Sequence, residues 1–307
     1  MSKRGWLLFA AMAVIWGIPY LLIKVSLRDL TPGTLVFART AIAAILLIPL
    51  AAKRGMLRPL LAKWQILLVY TVVEIAGPWF LLSTAEQRLS SSLAGLLVAS
   101  VPLIGAVAAF IVARYSGTGH DERPDARRVL GLLVGLGGVA VLVGVDVSGS
   151  DVWAVVAIAI TALGYATGPM IISRKLADLP TLGVVAASLG LTAIGYAPVA
   201  ATQWPTHMDA KVLGSVLGLA LICTALAFMV FFALIAEVGP ARATVITYVN
   251  PAIALLLGVL LLNEPFTVGI AIGFPLILVG CFLATSRNRA RRESAQPEDA
   301  VPQVAEA

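Results

Sequence analysis

The chain has 307 residues, of which 60% are hydrophobic and 12% charged, with a mean hydropathy of +0.96 and a formal net charge of +6. So much apolar surface excludes a water-soluble globular domain of this size. The basic balance does not point to nucleic acid, because Lys and Arg fill short gaps between apolar runs, where they orient a membrane chain.

In chain order, ten apolar runs are long enough to cross a hydrocarbon core of about 30 Å as helices rising about 1.5 Å per residue. They cover residues 5–26, 34–51, 65–83, 91–113, 129–145, 152–172, 181–201, 212–236, 241–262 and 267–286. A transmembrane barrel is disfavoured, since its strands would alternate apolar and polar residues in segments of about ten. The first run follows Lys3 and Arg4 and is too long for a cleaved signal peptide, so it reads as a spanning helix. The last stretch, 287–307, turns from basic to acidic without apolar periodicity and is expected to be a disordered cytoplasmic tail.

An even number of spans puts both termini on one side. With that side cytoplasmic, 17 of the 22 basic residues fall on it, against Arg28, Arg88 and Lys211 outside and Lys24 and Arg39 within spans. The positive-inside rule therefore predicts a multi-pass cell-membrane protein with both termini in the cytoplasm.

One pattern occurs twice. Pro102 is followed by Glu122, Gly131 and Gly138, and Asn250-Pro251 by Glu264, Gly273 and Gly280, with identical steps from Glu to Gly to Gly. The loop in the first copy is longer, which loops tolerate. Five spans per copy is an odd number, so the second copy enters the membrane from the opposite face. The expected fold is all-α and polytopic: ten transmembrane helices as two inverted five-helix repeats, 1–146 and 147–286, then the tail 287–307.

Ionisable groups within spans are functional candidates by default. Glu74 lies about 14 Å into the third span, near the midplane, and is a candidate proton-coupling group; a structural hydrogen-bonded carboxyl is the alternative. Arg39 keeps its charge and needs an acceptor, either Glu74 or a substrate carboxylate or phosphate. Lys24 is expected to snorkel toward headgroups.

Prolines form a second set. Pro19, Pro78, Pro102, Pro251 and Pro275 each free the carbonyl four residues earlier. Around Pro251 and Asn250, residues Thr244, Thr247 and Tyr248 share one helical face, whereas the first copy offers Gly95, Val98 and Ala99. Trp16, Tyr20, Trp79 and Tyr165 lie deep enough for a binding wall, while Trp6, Trp64 and Trp153 fit the interface. The pairs Gly131/Gly135, Gly164/Gly168, Gly214/Gly218 and Gly269/Gly273 read as close helix packing, and Glu122 and Glu264 as loop or helix-terminus anchors.

Over residues 5–286 the chain resembles the EamA-type ten-helix group of the drug/metabolite transporter superfamily. The resemblance rests on Trp16-Gly17, on Pro32 seven residues before Arg39, on Pro102 and Asn250-Pro251, and on the two Glu-Gly-Gly spacings. It implies a small-metabolite carrier, often an exporter, with a central cavity lined by both halves. One departure stands out: seven residues after Pro180 lies Ala187, where the first copy has Arg39.

The expected function is secondary transport of a small organic metabolite, such as an amino acid or related amphiphile, by a monomer or homodimer in the lipid bilayer. The sequence contains no GxxxxGK[ST] loop for ATP. A proton-coupled efflux pump for lipophilic cations is the closest rival. An integral membrane enzyme is a weaker one, since HExxH and GxSxG are absent, His120 and His207 lie in loops, and Cys223 and Cys281 sit singly in apolar runs. No cofactor, metal or nucleic acid is expected.

Overall fold

A computed structural model of the chain describes residues 1–115, 126–243 and 245–285. His120, Glu122, Thr244 and the tail 287–307 lie outside them. Every regular element among the described residues is a helix. Among those residues, nine helices are long and apolar enough to cross a membrane: α1 Lys3–Ser26, α2 Pro32–Lys53, α3 Arg58–Glu86, α4 Ser91–Ala108, α5 Ala126–Asp146, α6 Val152–Lys175, α7 Thr181–Gln203, α8 Ala210–Val238 and α10 Val268–Thr285. The remaining one, α9 Ile246–Leu262, has 17 residues and follows a short turn, Pro240–Ala243. This is an all-α polytopic membrane protein.

Large apolar side chains point outward, Leu7, Ile45, Ile194 and Leu260 being 70–71% exposed. A soluble protein would hide them; here they meet lipid.

Local chemistry sets the ends of the helices. Ser2, Thr31 and Ser90 accept hydrogen bonds from the backbone amides of Gly5, Thr34 and Leu93, each capping a helix start. The expected interruptions appear at three prolines. Ahead of Pro19, α1 breaks at Ile18; ahead of Pro102, α4 breaks at Ala99 and Ser100; ahead of Pro78, Thr71–Ala76 of α3 widens into a π-helical segment. Pro251 and Pro275, by contrast, stay inside continuous helices. A second π-helical segment, Gly218–Leu226, lies in α8 without a proline. Several boundaries differ from expectation; in particular, α3 runs on to Glu86, and α9 begins at Ile246 rather than 241.

The helices pair as α2 with α7, α5 with α10, α4 with α9, α3 with α6, and α1 with α8 and α9. α5 and α10 meet through Gly131, Gly135, Gly138, Gly273 and Gly280, whose missing side chains let the backbones touch. Gly164 likewise seats the Val73 carbonyl of α3. Gly214 does not behave as expected, because a Cβ there would meet nothing within 4 Å.

Contacts between loops tie each end of the bundle. At one end Arg88 pairs with Asp151 at 3.5 Å, Asp29 accepts from the Asp209 amide at 2.8 Å, and Thr31 donates to Gln203 at 2.8 Å. At the other, Ser2 donates to Glu237, Lys63 pairs with Asp178, and Tyr248 and Thr285 share a hydrogen bond at 2.7 Å.

Candidate substrate site

Arg39 sits two turns into α2 and is only 8% exposed. Its Nε donates to Thr224 Oγ1 on α8 at 2.8 Å. The Thr224 hydroxyl in turn donates to the Leu219 carbonyl, five residues back, at 2.8 Å. That five-residue step is the π-helical spacing, so the widened turn of α8 is what aims this hydroxyl at Arg39.

On its other side the Arg39 guanidinium carbon lies 3.6 Å from the centroid of the Trp79 ring. A desolvated cation over an indole is stabilised by about 2 kcal/mol. Trp79 stands on α3 just past its own π-helical segment, and its side chain neighbours that of Tyr165 on α6. Tyr20 of α1, Cys223 of α8 and Glu86 of α3 complete the electrostatic surroundings of Arg39.

Among the described residues, nothing accepts from the two terminal nitrogens of Arg39. A guanidinium has five donors, and here one is used within the protein. A buried cation left this way favours a bound anion strongly, because removing it from water costs several kcal/mol.

The structure thus brings together Tyr20, Arg39, Trp79 and Tyr165 from four helices. The pairing of Arg39 with Glu74 does not form; Arg39 turns to Thr224 instead. Glu74 lies in the π-helical segment of α3, pressed against Gly168 of α6, with Tyr70 and Tyr165 as its electrostatic neighbours. Its Oε2 is buried without a hydrogen-bond partner. Gly168 is therefore a notch for this carboxylate as well as a packing glycine.

The other four candidates stand apart. Trp16 packs on Phe231 with centroids 4.7 Å apart. Tyr248 is bonded to Thr285, the last residue of α10, which places it toward the end of the bundle. With its amide nitrogen turned to the carbonyls, Asn250 donates to Ala13 at 3.2 Å and Ile246 at 3.0 Å, fastening α9 to α1. Thr247 lies on the first turn of α9 beside them.

Lys24 corrects another expectation. Rather than reaching for headgroups, its Nζ donates to the carbonyls of Glu86 at 2.6 Å and Leu89 at 2.7 Å, capping the C-terminus of α3. Glu264 is a helix anchor as expected: it accepts from the amides of Ser91 at 2.7 Å and Ser92 at 2.9 Å at the start of α4.

Two residues escaped the sequence reading. Thr224 lay in a run taken as apolar, and Glu86 fell beyond the expected end of the third span. Glu86 is fully buried, with both carboxylate oxygens unpartnered. It borders a cleft of about 600 Å³ lined also by Lys24, Arg28, Arg88, Ser90 and Glu264. A second cleft of about 410 Å³ lies between Leu22, Arg28, Lys211 and Leu262. Neither of these two clefts is lined by Arg39.

No group of three His, Cys, Asp or Glu suited to a metal occurs among the described residues. A bundle of membrane-spanning helices around a buried, under-bonded cation has the build of a small-molecule carrier. A model of the EamA-like transporter family matches residues 3–144 and again 152–286, so the chain belongs to that family of transporters and is not an enzyme. It is 25% identical over 303 residues to the uncharacterized transporter YvbV of Bacillus subtilis (strain 168), covering 96% of this chain and 95% of that one. The uncharacterized inner membrane transporter YedA of Escherichia coli (strain K12) is 30% identical over 258 residues, covering 81% and 79%. A solved crystal structure superposes with a TM-score of 0.64 at 22% identity, covering 96% of this chain and 100% of that chain.

Proposed function

We propose that this protein is a secondary transporter that exports a small organic metabolite bearing a carboxylate, an amino acid or related amphiphile, by alternating access. The observation that carries the reading is the Arg39 guanidinium, buried between Thr224 and Trp79 with its terminal nitrogens unbonded. It offers a bidentate partner for a carboxylate, and Trp79, Tyr20 and Tyr165 offer an aromatic wall for an apolar remainder.

The same reading takes residues 1–146 and 147–286 as two inverted halves that rock about this site, with both termini in the cytoplasm. It is supported by the double family match, by the pairing of α2 with α7, α4 with α9 and α5 with α10, and by a π-helical segment in both α3 and α8. In that scheme α2, α3, α4 and α5 are the counterparts of α7, α8, α9 and α10.

The test compares metabolites released by cells producing the intact protein, its Arg39→Ala variant, or neither. A carboxylate solute that rises in the medium only with the intact protein supports the reading. Equal release by Arg39→Ala, with insertion verified, ends it.

Glu74 supports a second reading, proton-coupled efflux of a lipophilic cation, since its Oε2 is buried without a partner. Transport by Glu74→Gln that keeps its full pH dependence would remove that role.

A further inference from the structure

Arg39 and Glu86 are both buried, both short of partners and opposite in charge, yet no ion pair joins them. Their surroundings are shared: Tyr20 and Tyr165 each stand within electrostatic reach of both. Trp79, which carries Arg39, and Glu86 are seven residues apart on α3. Two helical turns put them on one face, with a rise of about 10 Å between them. Leu82 and Ser83 lie between them on that face and are buried as well.

The other charged groups facing Glu86 are Lys24 and Glu264. Lys24 does not satisfy the carboxylate, because its ammonium is spent on the backbone carbonyls of Glu86 and Leu89. Glu264 is itself held by Ser91 and Ser92. The Glu86 carboxyl is thus left buried without a partner, in a residue that borders the 600 Å³ cleft.

We infer that Glu86 is the second pole of the site, taking the ammonium group of a zwitterion whose carboxylate is held by Arg39. The spacing along α3 selects a solute with its two charges far apart, an ω-amino acid or short peptide, over one with both on the same carbon. The inference rests on the carboxylate reading of Arg39 and narrows it.

Three probes with the same straight carbon chain isolate the ammonium: caproate with none, norleucine with one beside the carboxylate, and ε-aminocaproate with one at the far end. Binding of each to the purified protein in detergent is followed by calorimetry. In the wild type, ε-aminocaproate is expected to bind about tenfold tighter than caproate, the size of one charge-assisted hydrogen bond. In Glu86→Gln that ratio is expected to fall to about one.

An ε-aminocaproate that binds no tighter than caproate overturns the inference, as does an advantage that survives Glu86→Gln or a norleucine that binds tightest. The wild-type comparison decides even where the variant does not fold. Caproate binding that is unaffected by Arg39→Ala overturns the carboxylate reading itself, which separates the two failures.

Discussion

Gly138 of α5 and Gly273 of α10 face each other reciprocally: a Cβ on Gly138 would lie 2.7 Å from the Gly273 carbonyl oxygen, and one on Gly273 would lie 2.8 Å from that of Gly138. Each obstacle is backbone, which cannot swing aside. Alanine at either position is expected to cost about 1–3 kcal/mol by forcing the helices apart. Gly137→Ala is the control, since a Cβ there meets nothing within 4 Å; it should be neutral or stabilising by up to about 1 kcal/mol through helix propensity. Thermal unfolding in detergent distinguishes the three variants.

These two glycines were legible as a repeated spacing, and the spans as apolar runs, because both are patterns along one dimension. Arg39, Tyr20, Trp79 and Tyr165 were legible for a related reason: polar or aromatic groups stand out within an apolar run. Thr224 did not, because a threonine in such a run equally satisfies itself on its own helix, and the π-helical turn that aims it outward has no proline to announce it. Glu86 did not stand out because the apolar run ends at residue 83, whereas α3 continues three residues further. Tyr248 shared a helical face with Thr244 and Thr247, but a face says nothing of depth. The later start of α9 puts that hydroxyl on Thr285.

Thr224 is the one side-chain hydrogen-bond partner described for Arg39, so Thr224→Val, which keeps the shape and removes the hydroxyl, tests how the guanidinium is held. The variant should lose about 1.5–3 kcal/mol of stability, the range for a hydrogen bond to a charged group. Combined with Arg39→Ala, the two effects should be less than additive by a similar amount, as expected for groups in direct contact. Arg39→Lys should not restore transport, because an ammonium offers neither the planar face toward Trp79 nor the fork for a carboxylate.

Gly168 leaves room for the Glu74 carboxylate, and a Cβ there would overlap it. Gly168→Ala should therefore destabilise the protein by about 1–3 kcal/mol or displace Glu74 from α6. Adding Glu74→Ala removes the obstacle, so the double variant should recover part of the loss. Unfolding midpoints of the two single variants and the double one give the coupling directly. Full additivity would mean that the notch serves something other than the carboxylate.

Glu264 accepts from two backbone amides and two hydroxyls at the start of α4. The amides of a first helical turn have no partner within the helix, and a carboxylate also complements the positive end of the helix dipole. Glu264→Ala should cost about 1–2 kcal/mol, the upper range for loss of an N-cap. Glu264→Gln keeps one acceptor oxygen and should cost less. The loss should appear as faster amide exchange at Ser91 and Ser92.

Asp178, in the loop between α6 and α7, is held below the usual carboxylate range by its hydrogen bond from Lys63. Lys63 also donates to the Lys175 carbonyl at 2.9 Å, so the contact ties the start of α3 to the end of α6. A carboxylate whose acidity is greater in the folded state contributes stability above its unfolded value of about 3.9. That contribution is lost as pH falls through the lower, folded value. Asp178→Asn should therefore lower the unfolding midpoint slightly at neutral pH, and the difference from wild type should close as the medium is acidified below that range. Because the pair is exposed, added salt should shrink the difference as well. A difference that persists in acid would show that Asp178 acts through packing and not through its charge.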